Sequence, residues 1–542
     1  MLVDKVMKLR GWNQEDRVIS DPNYCQFHDP FLMKGMALAV KRIIEAIKAK
    51  EQITIYGDYD CDGIGGTALL VDSLNKLGAK VNYCIPSRLV DGYGLSEDLL
   101  DKVIKEGSEL IITVDCGVTG KTQVEHVKSK GVGIIVIDHH LPDEKRFPDC
   151  IVVNPKQEGC NYPFKELCGC AVAFKVVTSL VKTLEAPTLM LAELIDIVTL
   201  ATIADVVPLV GENRSLVKYG LKRIRNGQIR VGIQQLISNT TVDRTKISSY
   251  DIGFKITPQI NAIGRLSSAE RAVRLLLTTD FEETKLLANT LTALNTSRQE
   301  LQADQLNAAI SLVEEGASVN LIYLDEAHEG IIGIIAGRIR ELTMRPTFIF
   351  TGAENGLIKS SARSVENIQL YNEVVYSGAD LICESFGGHG GSCGLSVLPE
   401  NFEELKRRLV SAFDKFSDED FRKTKFPPIE ITLDEITLDN INSLKMLEPY
   451  GKDNPQPQFK IVTDGIVELR VLGKGKDTGK IQLSFTNKVD IMIFKSEESY
   501  LKSYFADTTC AYEFTGTLGI NTYMDKTTCQ LIAKEYKKGA VL

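Results

Sequence analysis

The sequence predicts an α/β protein: a parallel sheet in a first domain, a long connecting helix, a smaller second α/β domain and a C-terminal β-barrel. Three observations carry that expectation. Short apolar, β-branched runs alternate with helix-length segments over roughly the first 160 residues. Continuous apolar strands separated by helices imply a parallel sheet covered on both faces. No Gly or Pro interrupts 281–315, and beyond a Lys425-Phe-Pro-Pro428 linker the apolar residues shift to period two.

The first strand, over 53–56, ends in Gly57-Asp-Tyr-Asp-Cys-Asp-Gly63, ahead of a helix over 67–77 that Gly78 stops. Further strands cover 81–85, 110–114 ending at Asp115, and 132–137 ending at Asp138-His139-His140. Ligands bind at the carboxyl ends of strands in open α/β sheets, where these polar residues fall. Residues 170–240 read as helical around Ala204-Asp-Val-Val-Pro208. Leu287, Leu291, Leu294, Arg298, Leu301, Gln305 and Ala309 keep helical spacing, so 281–315 could form one helix of about 50 Å. The second α/β unit has strands over 321–324 and 347–350, a helix over 332–342, the segment 358–363 and Gly387-Gly-His-Gly-Gly391. Alternation of Ile481, Leu483 and Phe485, of Val489, Ile491 and Ile493, and of Tyr512 and Phe514 suggests a small barrel such as an OB-fold. The expected domains are 1–225, with an N-terminal extension, a helical connector 226–316, 317–420 and 425–542.

Composition bounds the function. Of 542 residues, 44% are hydrophobic and 25% charged, which excludes wholesale disorder. The longest apolar stretch, 194–210, is broken by Asp196 and Asp205, so no membrane span is expected. The first residues lack a signal-peptide core, and a cytoplasmic chain follows as an expectation. The twelve cysteines contain no CxxC, which argues against a zinc ribbon and for reduced thiols. A formal charge of −9 opposes generic polyanion binding but not a locally basic groove. Two such patches stand out: Arg214, Lys218, Lys222, Arg223, Arg225 and Arg230; and Arg470, Lys474, Lys476 and Lys480. Each could be a solvated face or the footprint of a polyanion.

The chemistry concentrates at the strand ends. Asp58, Asp60 and Asp62 repel one another on alternate positions of a tight loop unless a cation neutralises them. An Asp-rich turn is the plain alternative, and an EF-hand is excluded because position twelve of the loop is not acidic. Asp115 and Asp205 read singly as a strand-end and a helix-end residue. His139 and His140 after Asp138 are less ordinary: adjacent imidazoles closing an apolar strand need a partner, and Asp138 can orient one ring from behind. Mixed Asp and His ligands without thiolate suit Mn²⁺ or Mg²⁺ better than Zn²⁺. So many ligands exceed one ion's needs, and two ions about 3.5–4 Å apart activate water against a phosphoryl group.

These motifs resemble those of the DHH phosphoesterase superfamily, and within it a branch of bacterial single-strand-specific 5′→3′ exonucleases. The resemblance runs through Tyr56-Gly-Asp58-Tyr-Asp60-Cys-Asp62-Gly63, Asp115-Cys-Gly117, Asp138-His139-His140, Pro86-Ser-Arg88, Thr202-Ile-Ala-Asp205, Ile260-Asn-Ala-Ile-Gly-Arg265, His328-Glu-Gly330, Ser360-Ser-Ala-Arg363, Gly387-Gly-His389 and Tyr450-Gly-Lys-Asp-Asn-Pro455. It implies a DHH domain, a DHHA1 substrate-binding domain and an OB-type barrel. It implies metal ligands at Asp58, Asp60, Asp62, Asp115, His139 and Asp205, with His140 as a ligand or transition-state stabiliser. Asp62, His139 and His140 are the implied catalytic set. Arg88, Ser361 and Arg363 would hold the 5′-terminal phosphate, while Arg265 and His389 would line the substrate phosphates. The implied activity degrades single-stranded DNA to 5′-mononucleotides in recombination and repair, with two Mn²⁺ or Mg²⁺ ions. The implied partners of a monomeric chain are a single-stranded-DNA-binding protein and a RecQ-type helicase.

The chain departs from the pattern at Tyr56, where relatives often carry His; at Gly65-Gly66, in place of hydroxyl residues; and at Ala327 and Glu329 flanking His328. Two rival readings are an oligonucleotide or cyclic-dinucleotide phosphodiesterase of the same superfamily and an inactive replication scaffold. The terminal barrel argues against the first, and the intact Asp and His set against the second.

Overall fold

Runs of five or six residues, apolar except in the edge strand β2, form the first sheet: β1 (Gln52–Gly57), β2 (Lys80–Cys84), β3 (Leu110–Val114) and β4 (Gly133–Ile137). A short β5 (Ile151–Val153), too brief to leave a periodic signal, completes the order β2-β1-β3-β4-β5, all parallel. Gly57 pairs with Val114 and Val114 with Ile137, so Asp58, Asp115 and Asp138 emerge from one edge of the sheet. The computed structural model describes residues 1–12, 27–88, 91–92, 94–353, 355–422, 424–472, 477–483, 489–523 and 526–539.

The helix expected over 67–77 begins earlier, as α1 (Cys61–Lys76), because one Asp60 oxygen accepts from the Asp62 and Gly63 amides and caps it. It packs against α2 (Gly169–Thr183) and α3 (Leu189–Ala204). Residues Leu194 to Thr202 of α3 are buried on every side, which explains a helix apolar all round. The connector includes α4 (Thr257–Leu266) and the long α5 (Phe281–Ile310), capped by Asp280. Its thirty residues span about 45 Å, and it stops before 315. The last amides bond three residues back, Leu312 to Ala309 and Val313 to Ile310, tightening the end before Gly316 turns at φ 82°.

The second sheet comprises β6 (Asn320–Tyr323), β7 (Thr347–Gly352), β8 (Ile358–Arg363), β9 (Ser385–His389) and β10 (Ser392–Val397), ordered β6-β7-β8-β10-β9. Only β6 and β7 run parallel, joined through α6 (Ile332–Thr343). These elements belong to a unit of His28–Val207 and Tyr219–Lys425.

A second unit comprises Met1–Phe27, Pro208–Lys218 and Phe426–Leu542. Its seven strands are β11 (Ile429–Glu430), β12 (Phe459–Thr463), β13 (Glu468–Leu472), β14 (Thr478–Gln482), β15 (Val489–Phe494), β16 (Tyr512–Tyr523) and β17 (Lys526–Lys538), in the order β11-β12-β16-β17-β15-β14-β13. Period-two burial holds where described: Ile481, Val489, Ile491, Ile493, Tyr512 and Phe514 face one core, while Phe485 lies outside the described residues. The first residues, expected as an extension of the first domain, form a helix, Leu2–Leu9, that adds Leu2, Val3, Val6 and Met7 to this core. Among the described residues no helix is long and apolar enough to cross a membrane.

Candidate metal centre and phosphate cup

The sheet edge gathers the predicted acidic and imidazole residues. Three overlapping groups have ligand atoms within 4.8 Å of one another: Asp58, Asp60 and Asp115; Asp62, His139 and Asp205; and Asp115, His139 and His140. The backbone makes this possible. A Cβ on Gly63 would stand 2.5 Å from the Asp58 amide, so only glycine lets the acidic loop close on α1. Asp115 adopts φ 64°, a left-handed turn that Asp tolerates and that redirects the chain at the strand end.

His139 Nε2 lies 3.1 Å from Asp115 Oδ1, 3.7 Å from Asp205 Oδ2 and 3.8 Å from Asp62 Oδ2. Asp138 lies behind the pair. One of its oxygens accepts from the His139 and His140 amides and from His140 Nδ1 at 2.8 Å, while the other accepts from the Val118 amide.

Electrostatics follow from burial. Desolvation, then Asp60, raises Asp58 well above the usual carboxylate range, and the same causes lift Asp62 to about 6. Burial and the neighbouring aspartates raise Asp115 and Asp205. Burial and His140 push His139 down to about 3. Burial also works against the charge on His140, but Asp138 prevails and holds it near 9. Asp58 Oδ1 is buried without a hydrogen-bond donor. Mutually repelling carboxylates, a neutral imidazole and an orphaned oxygen fit hard divalent cations.

Sequence reasoning missed the segment that braces Asp62. The Gly169 and Cys170 amides, at the start of α2, donate to its two oxygens at 2.6 and 2.8 Å. Nothing in composition marks these donors, because they are backbone groups contributed by a distant segment. Tyr56 lies fully buried; its hydroxyl donates to the Gly94 carbonyl and accepts from the Ser96 amide, so it staples a loop.

The predicted phosphate residues form a second cluster. Arg88 stacks over Tyr59 at 5.2 Å. Burial, followed by Arg88, Arg363 and Arg298, lowers Arg265 to about 9. Burial also lowers Arg363, which feels Arg88 and Arg340. Among the described residues, none of Arg88, Arg265 and Arg363 forms an ion pair. Arg363 Nη1 donates to Ser361 Oγ at 3.2 Å, and both side chains face Gly333 in the first turn of α6. Cations and a helix N-terminus together favour an anion. The Arg265 guanidinium donates to the Gly330 carbonyl, and the Gly330 amide donates to His328 Nδ1 at 3.0 Å. His328 thus braces Arg265 through one residue, Gly330. His389 lies on β9, with its side chain outside the described residues.

Three of the six cations in the first basic stretch are consumed internally. Arg214 donates to the Met446 and Glu448 carbonyls, Arg225 to that of Ile247, and Arg230 pairs with Asp72 at 2.7 Å. In the barrel, Arg470 pairs with Glu468 and Lys480 with Asp490; Lys474 and Lys476 lie outside the described residues.

A parallel sheet with this Asp and His set at its carboxyl edge, followed by a mixed-sheet α/β lobe, defines a phosphoesterase of the DHH class. The model of the DHH family N-terminal domain matches residues 52–202, that of the DHHA1 domain 316–415, and that of the RecJ OB domain 429–535. The single-stranded-DNA-specific exonuclease RecJ of Escherichia coli is 34% identical, covering 79% of this chain and 78% of its own. The RecJ of Bacillus subtilis is also 34% identical, over 92% of this chain; the chain spans 63% of that relative's length. RecJ of Thermus thermophilus, solved in complex with Mn²⁺, superposes with a TM-score of 0.84 at 30% identity, covering 99% of this chain and 76% of that one. The same protein in complex with Mg²⁺ gives 0.77 at 29% identity, covering 99% and 74%. The chain belongs to the RecJ family of single-stranded-DNA-specific exonucleases.

Proposed function

We propose that this chain removes 5′-mononucleotides from the 5′ end of single-stranded DNA with two Mn²⁺ or Mg²⁺ ions. The observation that carries the reading is the pairing of two clusters: seven Asp and His side chains that fit divalent cations, and a set of arginines without carboxylate partners that fits a terminal phosphate. Asp58, Asp60, Asp62, Asp115, His139 and Asp205 would hold the ions, which when bound supply water activation and charge neutralisation at phosphorus. Asp62 stays oriented by the Gly169 and Cys170 amides. His140, oriented through its Nδ1 by Asp138, would leave its other ring nitrogen to meet a phosphoryl oxygen as charge builds there. Arg88, Ser361 and Arg363 hold the 5′ phosphate, and Arg265 and His389 the following phosphates, so the scissile bond is set by distance from the strand's end. The barrel extends the grip on a long strand, as OB-folds do by stacking and backbone contacts.

The limits 226–316, 317–420 and 425–542, a cytoplasmic setting and a monomeric state belong to the same proposal, while Met1–Phe27 goes with the C-terminal unit rather than with the first domain. So does work beside a RecQ-type helicase and a single-stranded-DNA-binding protein, supported by family membership alone. Digesting one strand labelled at its 5′ end beside the same strand labelled at its 3′ end tests polarity. The 5′ label is expected to leave first, as mononucleotide, and only with Mn²⁺ or Mg²⁺ present. Early release of the 3′ label, or release without metal, contradicts the reading.

A further inference from the structure

Tyr250 and Phe254 form an exposed aromatic stack that neither cluster uses. Their ring centroids lie 4.6 Å apart with 27° between planes, and the residues are 62% and 60% exposed. Scattered exposed hydrophobics are ordinary, whereas two large rings held face to face at the surface form a patch. The local backbone fixes them. Ser248 and Asp251 close a capping box, and the π-helix Ile252–Ile256 follows directly. Ile252 and Ile256 are fully buried, which leaves Phe254 outward beside Tyr250. π-helical turns are rare and concentrate at functional sites.

The stack's position ties it to the chemistry. A Cβ on Gly253 would stand 3.2 Å from Ile203 Cγ2, near the end of α3. Two residues beyond Ile203 is Asp205 of the metal centre, and Val206 after it is 60% exposed, so this surface opens to solvent. The π-helix also runs straight into α4, where Asn261 accepts from the Cys61 amide and Arg265 joins the arginine cluster. The stack therefore stands on the two elements that carry Asp205 and Arg265.

We propose that Tyr250 and Phe254 are a base-stacking platform for the single strand, a few nucleotides from the bond that is cut; this rests on the exonuclease reading above. The occupant is a nucleobase, because every base offers a π-face and the family's substrate is single-stranded DNA. The neighbouring charges are largely balanced: Lys255 pairs with Asp251 at 2.7 Å and Lys246 lies 4.0 Å from Asp243. The platform's share of binding therefore comes from stacking and depends little on salt, unlike phosphate contacts.

The test compares KM in Mn²⁺ for a 5′-phosphorylated oligothymidylate of about 20 nucleotides and for the same strand with a run of abasic sites. The Tyr250→Ala/Phe254→Ala double variant is expected to raise KM about ten-fold or more on the base-bearing strand, by the same factor at low and moderate salt, and to leave the abasic strand unaffected. Phe254→Trp is expected to keep the wild-type KM. An unchanged KM on the base-bearing strand, or equal increases on both strands, would overturn the platform. A wild type inert on every single strand would overturn the exonuclease reading and the platform together, before any variant is compared.

Discussion

Asp62 shows how one side chain ties the fold to the candidate metal centre. Both oxygens accept backbone amides from the start of α2, yet its carboxyl is held near 6, against a usual value of 3.8, by burial and Asp60. A carboxyl raised in the folded state stabilises the fold below its unfolded pKa, and that contribution is lost as pH rises through about 6. Asp58, Asp115 and Asp205 are raised for the same reason. As pH rises these buried carboxyls lose their protons and the metal-free centre gains repelling charge, which a divalent ion relieves. Saturating Mn²⁺ is therefore expected to raise Tm more at pH 7.5 than at pH 5, measured by calorimetry on the same preparation. Equal shifts at both pH values would count against the ligand assignment. At His328 the departure in flanking residues leaves the brace to Gly330 intact. His328→Ala is expected to raise KM for a 5′-phosphorylated strand about five-fold, the worth of one hydrogen bond. His328→Asn should restore it, since an Asn carbonyl can accept the amide two residues on. Failure of Asn to rescue would show that the imidazole acts otherwise.

Elements were legible where a local pattern sufficed. Apolar, β-branched runs ending in Asp marked β1, β3 and β4, and with them most of the candidate metal centre, because strand and proposed ligand are adjacent in sequence. The start of α1 was not legible: Gly63, Gly65 and Gly66 are poor helix formers, and the helix begins at Cys61 through the Asp60 cap. Three-residue β5 was too short to show a period. The fate of the basic stretch was not legible, because Arg230 finds Asp72 and Asp196 only in three dimensions. The Leu2–Leu9 helix is amphipathic, but nothing local says that its apolar face belongs to the barrel core. Val6 is 1% exposed there, and an aspartate in its place would be a buried, uncompensated charge. Val6→Asp is expected to destabilise the C-terminal unit by about 3 kcal/mol, while the melting of the His28–Val207 and Tyr219–Lys425 unit stays unchanged. If hydrogen exchange in β16 and β17 were unaffected, the helix would be an appendage rather than part of the core.

At the scale of the whole molecule, the proposed function pairs a general hydrolytic centre with a device that would restrict it to chain ends. Metal chemistry of this kind would cut any accessible phosphodiester; under the proposed function, Arg88, Ser361 and Arg363 would make the end the reference point. Each charge-assisted phosphate contact is worth about 1.5–3 kcal/mol, roughly ten- to a hundredfold. Arg363→Ala is therefore expected to slow 5′-phosphorylated strands by that factor and 5′-hydroxyl strands far less; an equal loss on both would remove Arg363 from the cup. The most direct measurement compares Mn²⁺-dependent nucleotide release from a linear 5′-phosphorylated strand with release from a covalently closed circle of the same sequence. The linear strand is expected to be consumed to mononucleotides and the circle left intact, whereas cutting of the circle at a comparable rate would contradict an end-directed exonuclease.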